Sequence, residues 1–186
     1  RDRCDALCPA LCVVLRQSIE TKAYGATHLC LKAMSAATVV ALPNAFVVEA
    51  PGVDVEEWLR NLVACLMAPL PADEAARKAD ATARKWALKI AARFFVRYGT
   101  VAEEDEPRVQ RVSAMFAQLY AGQIQVAALQ VLRERALFPE RIAVDAMTYV
   151  QQTLQKAVLY KQLKPHLEFL LLEVIFPVLA LGPEDV

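Results

Sequence analysis

Apolar side chains recur every three or four residues along almost the whole chain, which is the spacing of one face of an α-helix. The clearest example is the segment 81–98, where Trp86, Ile90 and Phe94 follow one another at four-residue steps. The sequence contains no Asn-Gly or Asp-Gly turn and no long alternating apolar run, so it does not predict β-strands. The pattern therefore predicts an all-α fold.

The composition agrees with that prediction and excludes several other classes. Alanine and leucine, both strong helix formers, supply 32 and 24 of the 186 residues. A hydrophobic content of 56% and a formal net charge of zero exclude a mainly disordered chain and argue against a non-specific nucleic-acid binder. The most apolar stretches, 26–48 and 167–181, are interrupted by charged residues and prolines, so we predict buried helices there and no membrane span.

Prolines, glycines and acidic clusters divide the chain into seven or eight predicted helices. Asp54 is the predicted N-cap of the third helix, and Gly99 is the predicted C-cap of the fourth helix. The fifth and sixth helices are alternatively one helix that bends at Gly122. The segment 73–80 is predicted to be part loop and part helix entry. Pro139 and Pro165 suit the first turns of the last two helices. The predicted bounds are 6–19, with Pro9 near its first turn, then 23–42, 54–67, 81–98, 108–120, 123–137, 139–159 and 166–181.

A helix bundle and an α-solenoid both fit this series. Helices end near residues 42, 98 and 159, about 56 and 61 residues apart, whereas HEAT and armadillo units span ~40–47 residues. Insertions at 43–53, 68–80 and 99–107 would account for the difference. We therefore favour the solenoid, and the bundle remains the alternative.

The cysteines and histidines do not form a recognisable reactive site. The five cysteines, crowded into the first third of the chain, favour a reducing compartment over a disulfide framework. Cys4, Cys8 and Cys12 would share one helix face, where buried thiols are a better interpretation than metal ligands. His28 and His166 lack neighbours at the spacing of a catalytic triad and are predicted to serve core or capping roles. We therefore predict no catalytic, cofactor-binding or metal-binding residue, and no enzyme.

The most informative feature is a line of four cations at four-residue intervals on the predicted helix 81–98. These residues, called the basic stripe below, are Lys85, Lys89, Arg93 and Arg97. Residues 77–97 hold seven cations and one anion, a local net charge of +6, and like charges at this spacing destabilise an isolated helix. Two interpretations are open. In the first, the stripe is a solvated face or pairs with the acidic residues 103–106. In the second, it is a docking surface for an acidic protein or peptide.

Three segments of the chain resemble one family of helical-repeat receptors. The segment 84–99 begins Arg84-Lys85-Trp86-Ala87-Leu88 and ends Arg97-Tyr98-Gly99; later segments read Leu163-Lys164-Pro165-His166-Leu167 and Glu173-Val174-Ile175-Phe176-Pro177. In order and approximate spacing they resemble the importin-seven/importin-eight branch of the importin-β (karyopherin-β) receptors. The resemblance covers most of residues 41–186 and departs from the family in the loops at 68–80 and 99–107.

The resemblance implies an all-α HEAT-repeat superhelix of about three to four helix pairs. The pairs would be 1–42, 54–98, 108–159 and an incomplete 160–186, within one segment, 1–186, from the N-terminal half of a longer receptor. Both chain ends, including Pro183–Val186, are interpreted as cuts in that receptor.

The resemblance also implies a function. Such a receptor shuttles between cytoplasm and nucleus, binding cargo proteins, Ran-GTP and Phe-Gly nucleoporins without covalent chemistry, cofactor, membrane or direct nucleic-acid contact. The basic stripe would face Ran, cargo or an acidic loop of the receptor, and Phe-Gly peptides would insert between outer helices near 54–67 and 108–120.

Two other functions remain open from the sequence. A general HEAT-repeat scaffold or adaptor outside transport would have the same fold. A small helical enzyme would need a convergent polar pocket around His28 or His166.

Overall fold

A computed structural model describes residues 2–40, 55–100 and 105–179 of the chain. The chain divides into two compact units, residues 1–152 and 153–186. Across the three described ranges there are helices and turns but no strand, which confirms the all-α prediction. None of the helices in these ranges combines the length and apolar character needed to cross a membrane.

The described part of the chain forms ten α-helices of very different length. Short π-helical segments lie at Phe116–Tyr120 and Leu170–Ile175, and 3-10 turns at Arg135–Leu137 and Lys164–His166. The α-helices are α1 (Asp2–Glu20), α2 (Tyr24–Val40), α3 (Val55–Met67), α4 (Glu74–Tyr98), α5 (Pro107–Met115), α6 (Ala121–Arg133), α7 (Glu140–Thr153), α8 (Ala157–Leu163), α9 (Leu167–Phe169) and α10 (Phe176–Leu179).

The helices of the first unit are arranged in two layers. The first layer contains α1, α3 and the continuous run α5 to α6, because α3 packs against both α1 and α6. The second contains α2, α4 and α7, since α4 packs against α2 and contacts α7 through Phe95 and Tyr149. Helices α1 and α2, and likewise α3 and α4, also pack across the layers. Stacked helix pairs of this kind are the arrangement of a HEAT-like repeat protein, and the predicted fold class is confirmed.

Aromatic rings join α4 to α3, to the first π segment and to α7. The ring of Phe94 lies 5.3 Å from that of Trp58 on α3 and 4.9 Å from that of Phe116 in the first π segment. The ring of Phe95 lies 6.1 Å from that of Phe116 and 5.6 Å from that of Tyr149 on α7. These separations are typical of favourable tilted and edge-to-face ring pairs, so one buried aromatic cluster holds α3, α4 and α7 together.

Helix α4 begins seven residues earlier than predicted. Asp73 is its N-cap: the Asp73 carboxylate accepts a hydrogen bond of 2.7 Å from the backbone N–H of Ala76. The three alanines among residues 74–79 favour helix once the cap is in place. The end of α4 agrees with the prediction, and the Gly99 N–H donates to the Phe95 carbonyl at 2.7 Å. A Cβ at Gly99 would collide with that same carbonyl oxygen, which explains glycine at a position with ordinary negative φ.

The other differences concern where helices begin or bend. Helix α1 begins at Asp2 because residues 2–5 contain no helix breaker, so Pro9 lies inside the helix and not in its first turn. Between α5 and α6 the irregularity is the π segment, not a bend at Gly122, and α6 ends at Arg133 instead of 137. The predicted Asp54 cap and the insertion at 43–53 lie outside the described residues.

The predicted helix 139–159 is also interrupted. Helix α7 ends at Thr153, Lys156 is extended at φ −106° and ψ 115°, and α8 follows. In the second unit, Pro165 lies in a 3-10 turn, and the predicted helix 166–181 is instead α9, a π segment and α10. The second unit buries Leu159, Leu163, Leu170 and Val174.

A buried guanidinium connects α4 to the end of α3. Arg84 and Asp80 are only 4% and 2% exposed, and the Arg84 Nε donates to the Asp80 carboxylate at 2.6 Å. The other Arg84 nitrogens donate to the carbonyls of Leu66, at 2.5 Å, and Ala68. Helix C-termini leave their last carbonyls without helical partners, and Arg84 satisfies two at the end of α3. Burial raises the pKa of Asp80 despite the nearby Arg84 charge, which lowers it.

We expect Arg84→Met to lower the free energy of unfolding by about 3–5 kcal/mol, because it leaves Asp80 and two carbonyls buried without their donor. Urea denaturation followed by circular dichroism measures the change. Lys78→Met, at an exposed cation of the same helix, is the matched control and should change stability by no more than ~0.5 kcal/mol. Equal effects of the two substitutions would contradict the role of Arg84.

Candidate protein-binding site

The structure places all four residues of the basic stripe on α4. Lys85 and Lys89 are half-buried, and Arg93 and Arg97 are exposed. The Lys89 ammonium lies 5.6 Å from the centre of the Trp86 ring, and the Arg97 guanidinium lies 5.7 Å from that of Tyr98. Aromatic faces attract cations at such distances, so two cations of the stripe are held by rings of their own helix.

Two grooves run along α4, one on each side. The groove between α2 and α4 has a volume of about 320 Å³ and includes Arg93 and Arg97 in its lining. The groove between α4 and α7 has a volume of about 310 Å³ and includes Lys89 and Arg93. Arg93 therefore belongs to both grooves, whereas Lys85 lines neither of them.

Three of the four cations in the stripe have no carboxylate partner in the part of the chain that the structure describes. No described carboxylate lies within 4.0 Å of the side-chain nitrogens of Lys85, Lys89 or Arg93. Arg93 Nη1 donates to the uncharged Ser35 hydroxyl at 3.2 Å. In the acidic segment 103–106, Glu106 pairs with Arg108 at 2.7 Å, and residues 103 and 104 lie outside the described ranges. The docking-surface interpretation stays a prediction.

The wall of the second groove facing α4 comes from α7 and was not predicted. Asp145, Thr148 and Gln152 line it at positions i, i+3 and i+7, one face of the helix. The Oδ2 atom of Asp145 and the Oε1 atom of Gln152 are buried and accept no hydrogen bond. Arg141 approaches only the other oxygen of Asp145, at 3.9 Å. No motif marks these residues, and only the packing of α7 beside α4 shows that they face the stripe.

The cysteines and histidines occupy structural positions. Cys8 and Cys12 are buried as predicted, and the Cys4 side chain lies outside the described set. Burial raises the pKa of Cys12 to about 12 and that of Cys65 to about 12, which suppresses the reactive thiolate. Among the described residues no group of three or more His, Cys, Asp or Glu side chains could hold a metal ion.

The two histidines lie far apart in the sequence and in different units. The His28 ring is half-buried, 6.2 Å from the Trp86 ring. His166 lies in the 3-10 turn of the second unit. His28 does not line either of the two grooves beside α4, so neither groove is the convergent pocket that an enzyme would need around it.

The two-layered stack of helix pairs is accompanied by sequence similarity to the importin-β family. Importin-8 of Mus musculus is 35% identical over 105 residues, and importin-8 of Homo sapiens is 33% identical over the same length. An importin beta-like SAD2 homolog of Arabidopsis thaliana is 28% identical over 106 residues. These matches confirm the resemblance seen in the sequence motifs.

The similarity covers 55% of this chain but only 10% of the length of each of these relatives. No family model matches the chain, and no solved structure matches it. The family resemblance therefore rests on the matched segment. The activity and partners of a whole receptor can only be proposed for this chain.

Tyr149 fixes the α7 wall of the second groove. Its ring contacts Phe95, and its buried hydroxyl donates to the Ala121 carbonyl of α6 at 3.0 Å. Burial also raises the pKa of Tyr149, so the hydroxyl keeps its proton and remains a donor.

We expect Tyr149→Phe to lower the free energy of unfolding by about 1 kcal/mol, because the ring stays and one buried hydrogen bond is lost. Chemical denaturation provides the measurement. Tyr160→Phe, at an exposed tyrosine, should leave stability unchanged. A Tyr149→Phe protein as stable as the original would mean that the hydroxyl does not position α7.

Proposed function

We propose that the chain is a segment of a nuclear import receptor that recognises other proteins without covalent chemistry. The importin-8 similarity and the stacked helix pairs support this proposal. One structural observation carries it: the basic stripe lies between two grooves, and three of its cations have no described carboxylate nearby. Like charges at four-residue intervals repel one another, and an acidic partner would offset that repulsion.

The two layers would serve different partners. Cations on α4, in the second layer, suit an acidic surface of cargo or of Ran in its GTP-bound state. The first layer would offer apolar contacts to Phe-Gly nucleoporins, since Met67 on α3 and Leu119 on the π segment that packs against α3 are each about half exposed. Because each repeat contacts only its neighbours, a stack of this kind presents a long surface to several proteins at once. The receptor would shuttle between cytoplasm and nucleus.

We expect Lys89→Glu/Arg93→Glu to weaken binding of the intact protein to Ran-GTP or to cargo by about tenfold or more, because it reverses two charges at the interface. Surface plasmon resonance with each partner measures the affinity. Arg111→Glu/Lys161→Glu is the matched control, since it changes the net charge equally at two exposed cations outside the stripe. Unchanged affinity of the stripe variant for both partners would contradict the proposed role.

We expect immobilised Phe-Gly repeats to capture the intact protein, and Leu119→Asp to reduce that capture about fivefold or more by placing a charge on an apolar contact. The Leu119 side chain is 51% exposed, so the substitution should not disturb the core. Val158→Asp, at a side chain 78% exposed in the second unit, is the control. No capture of the unaltered protein would instead favour a HEAT scaffold that acts outside transport.

A further inference from the structure

A depression on the surface of α4 lies beside the basic stripe. The residues of α4 that line it are at positions i, i+3, i+4 and i+7 of the helix: Lys89, Ala92, Arg93 and Val96. Four residues at these spacings enclose the space into which one side chain of a packed helix inserts. Because Ala92 is small and Val96 is 70% exposed, the space between the two cations is open and partly apolar.

The basic stripe crosses α4 obliquely. Lys89 lines the groove on the α7 side, Arg97 lines the groove on the α2 side, and Arg93 lines both. Rows of residues at four-residue steps are inclined by about 26° to the helix axis, and two helices whose rows of this kind interlock cross at about −50°. A second helix that crosses α4 at this angle would lay its own four-residue row alongside the stripe, and both rows would have the same step of about 6.0 Å.

The surface beside the stripe suits a helix better than an extended peptide. An extended chain leaves its backbone N–H and C=O groups unpaired, and it binds other proteins mainly by adding to the edge of a sheet. None of the described residues, 2–40, 55–100 and 105–179, belongs to a strand. A helix pairs most of its backbone groups internally, so it can bind to α4 through side chains alone.

The lining of the depression determines the side chain that it can accept. Asp145 of α7 lines the same groove and is only 8% exposed. A carboxylate inserted here would be repelled by Asp145, whereas an apolar side chain would contact Ala92 and Val96. The partner helix therefore needs an apolar residue at this position.

The positions one step to either side of the depression call for negative charge. One step towards the start of α4, a side chain of the partner would lie between Lys85 and Lys89, and one step towards its end it would lie beside Arg93. No described carboxylate lies within 4.0 Å of the side-chain nitrogens of these three cations. Opposite charges across an interface set both the choice of partner and its register.

We infer that α4 binds an acidic helix of a partner protein, in which an apolar residue lies between two carboxylates at four-residue steps, as in Glu-x-x-x-Leu-x-x-x-Glu. This inference rests on the proposed function, since it specifies the part of the partner that the stripe recognises. The order of the three residues is the same from either end, so the partner helix can run in either direction across α4.

The test uses fluorescein-labelled probes and fluorescence anisotropy with the intact protein. The first probe is an alanine-rich peptide of about sixteen residues, long enough to form a helix, with Glu, Leu and Glu at successive four-residue steps. The second exchanges the Leu with one Glu, which keeps composition and charge. The third has two outward-facing alanines of the first replaced by proline, which breaks the helix, and the fourth is oligouridylate RNA. We expect the first probe to bind about fivefold or more tightly than each of the others, and more weakly as salt concentration rises.

Double-mutant cycles identify which cation meets which carboxylate. Each Glu of the first probe is replaced in turn by Gln, and each altered peptide is combined with Lys85→Gln or with Arg93→Gln. We expect Lys85→Gln to weaken binding about threefold, and this effect to vanish when the Glu at one end is absent. The effect of Arg93→Gln should vanish only when the Glu at the opposite end is absent. Arg111→Gln, at an exposed cation outside the stripe, is the control and should couple with neither Glu.

Two further variants test the depression separately from the charges. Val96→Ser should weaken binding of the first probe about threefold by removing an apolar contact, whereas Val158→Ser, at a valine 78% exposed in the second unit, should not. Ala92→Leu fills the depression and should weaken binding of the first probe about tenfold. Because Ala92 is only 8% exposed, the thermal unfolding of this variant is compared with that of the unaltered protein. If Ala92→Leu does not fold, the result for Val96→Ser decides.

The outcomes separate this inference from the proposed function. Equal affinity of the first and second probes, tighter binding of the proline-containing peptide or of the RNA, or coupling of both cations to the same Glu would overturn the inference. If Lys89→Glu/Arg93→Glu nevertheless loses Ran-GTP or cargo, the proposed function stands without it. If the peptides behave as expected while that variant binds Ran-GTP and cargo unchanged, the helix site stands and the proposed function is wrong.

Discussion

The contacts of two adjacent rings on α4 determine how the first unit is assembled. Neighbouring residues on a helix point about 100° apart, so Phe94 and Phe95 meet different partners: Phe94 packs on Trp58 of α3, and Phe95 on Tyr149 of α7. Both also contact Phe116. Because these rings fix α4 from two directions, its remaining face is left for the basic stripe. The same packing that stabilises the core thus creates the grooves on either side of that stripe.

The charge of α4 has two physically different parts. Arg84 and Asp80 neutralise one another inside the protein and bind the last carbonyls of α3, so they belong to the core. The stripe residues are accessible and lie beside the grooves. The net charge of +6 counted for residues 77–97 does not distinguish these roles. The net charge is still +6 without the buried pair, because that pair contains one charge of each sign.

The sequence predicted elements whose signals are local. The apolar spacing of α4, its glycine end and the common helix face of the stripe were all predicted correctly. The early start of α4 was missed because Asp73 precedes a polar stretch, and the interruption after Thr153 was missed because residues 154–156 contain neither proline nor glycine. The α7 wall of the second groove could not be predicted, since Asp145 and Gln152 face the stripe only through the packing of helices about 50 residues apart in the chain.

Because of the π segment Phe116–Tyr120, the packing of this part of the chain against α3 depends on how many residues it contains. A π turn contains one residue more than an α turn, and one residue corresponds to about 100° of rotation. Phe116 and Ile124 are both fully buried, on segments that pack against α3. Loss of a single residue here would turn one of the two away from α3, whatever residue was lost. The side chains of this segment that face α3 are therefore determined by the number of residues as much as by their identity.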